Sequence, residues 1–94
     1  MEMIQLQHPE GKQGARIRLD KYDLIKKEIV STVRRGDGIS YKQLTKEVNE
    51  RLKGKFEGSV TWYVTAVKLD LEARDMIKRY THKRLQYLAM TDKD

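Results

Sequence analysis

Apolar residues recur at helical spacing in three stretches of this chain and then give way to short strand-like runs. In the first stretch they fall at Tyr22, Ile25, Ile29 and Val33, one face of a helix over residues 20–35. Asp20 and Asp23 complement its positive end, and Arg34 and Arg35 its negative end before Gly36. A further face, Tyr41, Leu44, Val48 and Leu52, predicts a helix over 40–53. Ser40 and Gln43 have the spacing of a capping box, and Gly54 provides a left-handed stop. The third face, Val60, Val64, Val67 and Leu71, predicts a helix over 59–73, opened by Ser59, whose hydroxyl can accept from first-turn amides. Phe56, between the last two, reads as a plug in the core.

After Ala73 the period changes. Residues 75–90 read as a hairpin, with strands Asp75 to Tyr80 and Leu85 to Met90 and a basic turn Thr81-His82-Lys83-Arg84. Ile77, Leu85, Tyr87 and Leu88 are its apolar contribution. At the other end, residues 1–19 read as a strand and loop: Met3 to Gln7 alternates, His8 to Gly14 holds the sole proline, and Ala15 to Leu19 leads back into structure. Gly36-Asp37-Gly38 predicts a turn, Ile39 a short bridging strand, and residues 91–94 a frayed end. No amphipathic element here can hide its apolar face alone, so three helices and a hairpin must pack on one another. With 94 residues, that is one domain over 1–94.

Charge and composition narrow the function. The chain carries a net +6, concentrated in residues 74–84, where Arg74, Lys78, Arg79, Lys83 and Arg84 face only Asp75 for a net of +4. Lys12, Arg16 and Arg18 add another basic stretch, and the two together favour an anionic partner. The predicted third helix runs the other way, with Lys68 against Asp70 and Glu72, and this weighs against DNA contact by that helix. The absence of cysteine excludes disulfides, thiolate zinc sites and cysteine nucleophiles. No apolar run is long enough for a bilayer span or a signal-peptide core, so no membrane association and a cytoplasmic location are expected.

Two runs, Gly38-Ile39-Ser40-Tyr41-Lys42-Gln43-Leu44 and Val67-Lys68-Leu69-Asp70-Leu71-Glu72-Ala73-Arg74-Asp75-Met76-Ile77, resemble the winged-helix superfamily, and the run from Val67 is similar to the exit from a recognition helix. Within that superfamily, His8-Pro9 and Glu57-Gly58-Ser59-Val60-Thr61-Trp62-Tyr63 resemble a small bacterial family of uncharacterised function. The resemblance covers nearly the whole chain. It implies an α+β winged helix-turn-helix of three helices plus a C-terminal two-stranded wing, with a short N-terminal strand. It also implies double-stranded DNA binding by a small bacterial transcription regulator, helix 3 in the groove and the wing on phosphates. Winged helices also serve as protein-protein modules, so an interaction module without DNA binding is the alternative.

The residues that would carry DNA contact are Ser59, Thr61, Thr65 and Lys68 on helix 3 and Lys78, Arg79, His82, Lys83 and Arg84 on the wing. The helix 3 set also fits an ordinary solvated helix face, and the helix lacks the Arg, Asn and Gln that most often read base edges. Trp62, Ala66, Leu69 and Ala73 form another apolar stripe, explained either by a core that wraps the helix or by a dimer or protein interface at Trp62 and Leu69. A specific regulator of this size is expected to pair as a homodimer on two half-sites. An exposed Trp62 would favour a protein partner. A continuous positive surface joining wing, Lys12, Arg16, Arg18 and helix 3 would favour DNA.

Chemistry of other kinds is not spelled. Ser31, Ser40 and Ser59 have no His and acid in a nucleophile motif, so no catalytic residue and no enzyme is expected. The glycines form no phosphate loop. His8 and His82 lack ligand-spaced partners, so neither a metal nor a cofactor is expected.

Overall fold

A computed structural model of the chain describes residues 1–36 and 38–91. Asp37 of the expected 36–38 turn, and residues 92–94 of the expected frayed end, lie outside the described residues. The fold is α+β, three helices with two small antiparallel sheets. Strand β1 (Met3–Gln5) pairs with β2 (Arg16–Arg18), placing Ile4 opposite Ile17. Hydrophobic patterning predicts no strand at 16–18, because Arg-Ile-Arg shows a single apolar residue; that residue, Ile17, is buried. The loop joining the two strands closes tightly at Gly14, where a Cβ would stand 2.7 Å from the Leu6 carbonyl oxygen.

Helix α1 (Leu19–Gly36) buries the expected Tyr22, Ile25, Ile29 and Val33, with Thr32 beside them. Strand β3 (Ile39–Ser40) leads into helix α2 (Tyr41–Leu52), which buries Leu44, Val48 and Leu52. Half of the expected capping box forms: Ser40 Oγ accepts from the Gln43 amide at 3.1 Å, while the Gln43 side chain turns to Glu47 at 2.9 Å. Helix α3 (Val60–Ala73) buries Val64, Val67 and Leu71 between the other two helices and the hairpin. Phe56 is half-buried against the core, its ring edge-on to Tyr63 with centroids 5.0 Å apart.

Helix α3 ends in a Schellman motif: the Asp75 amide donates to the Glu72 carbonyl, the Met76 amide donates to the Leu71 carbonyl, and Asp75 has φ 62. Asp75 and Met76 therefore belong to the helix stop, and strand β4 begins two residues later than expected (Ile77–His82). It pairs with β5 (Leu85–Met90) in the register Tyr80 with Tyr87 and His82 with Leu85. Thr81 and His82, expected in the turn, complete the ladder, and the turn shrinks to Lys83 and Arg84. Strand β5 is central in a sheet ordered β3-β5-β4, and Thr91, expected to fray, donates from its hydroxyl to the Asp75 carbonyl at 2.8 Å.

One buried carboxylate joins these pieces. Asp70 has no exposed surface; its Oδ1 accepts from the Gln7 amide at 2.7 Å, and its Oδ2 from the Tyr22 hydroxyl at 2.6 Å and Arg74 Nε at 2.8 Å. Burial first, and then the bond to Asp70, push the Tyr22 phenol well above its ordinary range. The Arg74 guanidinium is likewise raised, chiefly by its bond to the same carboxylate.

Replacing Asp70 by alanine strands the Tyr22 hydroxyl and the Gln7 amide. We expect Asp70→Ala to cost about 3–5 kcal/mol in urea unfolding. Asp70→Asn, which keeps one acceptor for the Gln7 amide and presents an NH2 to the Tyr22 hydroxyl, itself able to accept, should cost clearly less; equal losses would show that the hydrogen bonds to the neutral partners are not the source.

Candidate nucleic-acid interface

The polar side of α3 turns inward after its first turn, and Ser59 and Thr61 stay exposed. Ser59 Oγ caps the helix by accepting from the Trp62 amide at 3.1 Å. The Thr61 hydroxyl accepts from Asn49 Nδ2 on α2 at 3.1 Å, and the Thr65 hydroxyl shares a hydrogen bond with the Tyr41 hydroxyl, also on α2. Lys68 is 3 % exposed; its ammonium donates to Glu72 Oε2 at 2.6 Å and to Gln86 Oε1 on β5 at 2.9 Å, and lies 5.3 Å from the centre of the Tyr41 ring. Glu72 Oε1 in turn stands 3.6 Å from Arg79 Nε on β4.

Thr65, Lys68 and Glu72 thus form a seam against α2 and the hairpin, where a solvated or groove-facing side was expected, while Thr61 at the start of the helix stays exposed. Their angular positions, next to the Val64–Leu71 stripe, place them under α2 once that stripe is buried. The acidic excess of the helix also changes meaning, since Asp70 and Glu72 are covered and neutralised by Arg74, Lys68 and Arg79. It puts no negative field on the outer surface.

What α3 turns outward is its other apolar stripe. Trp62 is 48 % exposed, its ring edge-on to Tyr63 with centroids 4.9 Å apart. Ala66 and Leu69 line a cleft of about 130 Å³ with Trp62, Leu6, Gln7, His8, Gly14 and Ala15. The N-terminal segment therefore covers one flank of the stripe and leaves Trp62 in solvent, so each of the two explanations for this stripe accounts for part of it. The stripe carries no charged side chain.

The hairpin is where free positive charge collects. Strand alternation directs Ile77, Arg79 and Thr81 to the helix side and Lys78, Tyr80 and His82 outward, since Ile77 and its neighbour Leu88 on β5 are buried. At the apex Lys83 and Arg84 have φ 51 and φ 67, the left-handed pair of a type I′ turn, a place usually taken by Asn-Gly. Two long cations at an apex that favours glycine carry a conformational cost of about 1 kcal/mol each. Among the described residues, Lys78, Lys83 and Arg84 make no salt bridge. The His82 ring stands edge-on to Tyr87 with centroids 5.3 Å apart.

The N-terminal cations are mostly paired. Lys12 meets Glu10 at 3.1 Å and Arg18 meets Asp20 at 2.5 Å, leaving Arg16 outside any salt bridge among the described residues. The Glu10 carboxyl is held below its usual range by the hydrogen bond and charge of Lys12, with smaller contributions from His8 and Arg79. The continuous positive surface that would join the wing, Lys12, Arg18 and helix 3 is therefore not formed, since Lys12 and Arg18 are paired with acids and Lys68 is buried.

Sequence reasoning missed the buried use of Asp70 and Lys68. The signal was present: both lie beside the Val67 and Leu71 stripe, and Lys68 and Glu72 stand four residues apart on a helix. Among the described residues, no helix is long and apolar enough to cross a membrane, and no three His, Asp or Glu side chains gather as a metal site would require.

The changes Lys83→Asn and Arg84→Gly together should relieve this cost and stabilise the protein by about 1–2 kcal/mol, read as a higher thermal midpoint. An unchanged or lower midpoint would show that the turn carries no such strain.

No curated protein and no solved structure matches the chain. A family model matches residues 3–87, nearly the whole of the fold described above, and the chain belongs to that family, a family of unknown function (DUF6958).

Proposed function

We propose that this protein is a winged helix that binds double-stranded DNA through the phosphate backbone, with the β4–β5 hairpin as the wing and principal contact. The order helix, short strand, helix, helix, hairpin, with β3 added beside β5, supports the winged-helix reading. The observation that carries the DNA reading is the hairpin tip, where Lys83 and Arg84 are held in left-handed conformations beyond a strand bearing Lys78, all three outside any salt bridge among the described residues. Strain kept at an exposed cationic apex fits a site whose side chains meet something outside the molecule.

The same geometry limits what helix 3 contributes. Lys68 is committed inside, the Thr65 hydroxyl is bonded to α2, and the outward face offers a groove Trp62, Ala66, Leu69 and Ala73 with the exposed Thr61 at its edge. Such a face has no donors for base edges apart from the indole N–H and one hydroxyl. Binding is therefore dominated by phosphate contacts and discriminates weakly among sequences, as suits an accessory factor better than an operator-specific repressor. A metal, a cofactor and catalysis have no part in this reading.

Another reading has its own observation. Trp62 is 48 % exposed on an uncharged helix face, which is how an anchor for a protein partner or another copy of the chain is displayed. The two readings are compatible, because they use different surfaces: the stripe for a protein, the wing for DNA.

Anisotropy titration onto random duplex DNA at two salt concentrations tests the DNA reading. Affinity should fall steeply with salt, at a log-log slope of about −0.9 per phosphate contact, and the double variant Lys83→Ala, Arg84→Ala should lower that slope by about two contacts. Absence of binding at low salt would overturn the DNA reading and leave the Trp62 face as the functional surface.

A further inference from the structure

The outward face of the hairpin holds a feature that phosphate binding does not use. Tyr80 and Tyr87 stand directly opposite each other across β4 and β5, with ring centroids 5.7 Å apart and planes tilted by 32°. His82 closes against Tyr87 from the diagonal position, at 88°. The core does not need this cluster: Leu88 and Ile77 fill the inner face of the hairpin, while Tyr80 is 40 % exposed. Tyr80 is also held in place. Its hydroxyl lies so close to Gly38 that a Cβ there would be 2.6 Å from the oxygen, and Gly38 has φ 102, a conformation that suits glycine.

Cations flank the rings at both ends. Lys78 points to the same side as Tyr80, two residues before it on the strand, and Lys83 and Arg84 stand beyond His82 at the tip. Aromatic rings interleaved with unpaired cations along one track are what a single strand of nucleic acid meets on proteins that bind it: cations follow the phosphates and bases stack on the rings. A base inside a duplex has both faces covered by its neighbours. Away from a duplex end, where the last pair leaves one face open, a ring on the hairpin can be stacked upon only by a base that is unpaired.

We propose that the outer face of this hairpin is a stacking platform for an unpaired base, so that the preferred ligand is duplex DNA carrying a single-stranded extension. The proposal rests on the nucleic-acid reading above and specifies its ligand. Tyr80 is the platform, Tyr87 and His82 support it from the neighbouring positions, and Lys78, Lys83 and Arg84 hold the phosphates on either side. Stacking accepts any base, so this selects DNA structure without selecting sequence.

The test compares three probes that share one duplex: blunt, with a natural single-stranded extension, and with an abasic extension of equal length, which keeps the phosphates and removes the bases. The natural extension should bind at least about fivefold tighter than the abasic one, the low end of measured base–aromatic stacking. A 2-aminopurine placed in the extension should be quenched on binding. Tyr80→Leu, which keeps an apolar cross-strand partner for Tyr87, should abolish both the preference and the quenching while leaving the salt slope on the blunt duplex, which reports the phosphate contacts, unchanged. Tyr80→Phe, which keeps the ring, should retain both, and so separates stacking from any loss of hairpin structure.

Equal binding of natural and abasic extensions, or a preference that survives Tyr80→Leu, overturns the stacking platform while the duplex-binding reading stands. Failure of all three probes to bind at low salt overturns both.

Discussion

A carboxylate without solvent exposure holds this fold in register. Burying a charge costs several kcal/mol, and Asp70 offsets that cost only by filling both oxygens with donors from three parts of the chain: the Gln7 amide, the Tyr22 hydroxyl and Arg74 Nε. Those parts are the N-terminal segment, helix α1 and the end of α3. The apolar stripes bring the helices together without fixing their rotation, because apolar burial is not directional. The three bonds to Asp70 are directional, and they set which face of α3 is left outside.

From that rotation the rest follows. With Asp70 turned toward Tyr22, Lys68 and Glu72 come to lie on the opposite flank of the buried stripe, against α2 and the hairpin. There Lys68 bridges Glu72 and Gln86, and Glu72 reaches Arg79, so β4 and β5 are both tied to α3. The hairpin is thereby held as an arm of fixed direction, with its free cations at the far end. In consequence helix 3 keeps no charge for its outer surface, and the outward residues that remain are Thr61, Trp62, Ala66, Leu69 and Ala73.

Much of the architecture is legible in the sequence. The spacings Tyr22-Ile25-Ile29-Val33 and Leu44-Val48-Leu52 identify buried faces, and Ser40 and Ser59 mark helix starts, because a regular helix leaves periodicity and capping chemistry in the order of its residues. The hairpin is visible through its change of period, although its turn reads as four residues. Lys83 and Arg84 carry none of the usual markers of a two-residue turn, so its tightness is hidden. Strand β2 escapes notice because a three-residue pairing is specified by its partner and by the close approach at Gly14. The candidate site is less legible. Periodicity identifies the stripe a helix buries, but it cannot say which polar flank a neighbouring helix will cover, and so Thr65 and Lys68 read as surface. What decides their fate is a tertiary bond between residues 48 positions apart, Tyr22 and Asp70.

In the function proposed above, the hairpin meets DNA and helix 3 does not read it. Amide-resolved NMR during titration with a short duplex tests this most directly, since every residue reports separately. Perturbations should concentrate at residues 78–84 and decline with added salt, while the Trp62 indole and the Leu69 and Lys68 amides stay where they are. Perturbations centred on α3, with the hairpin resonances unmoved, would contradict it.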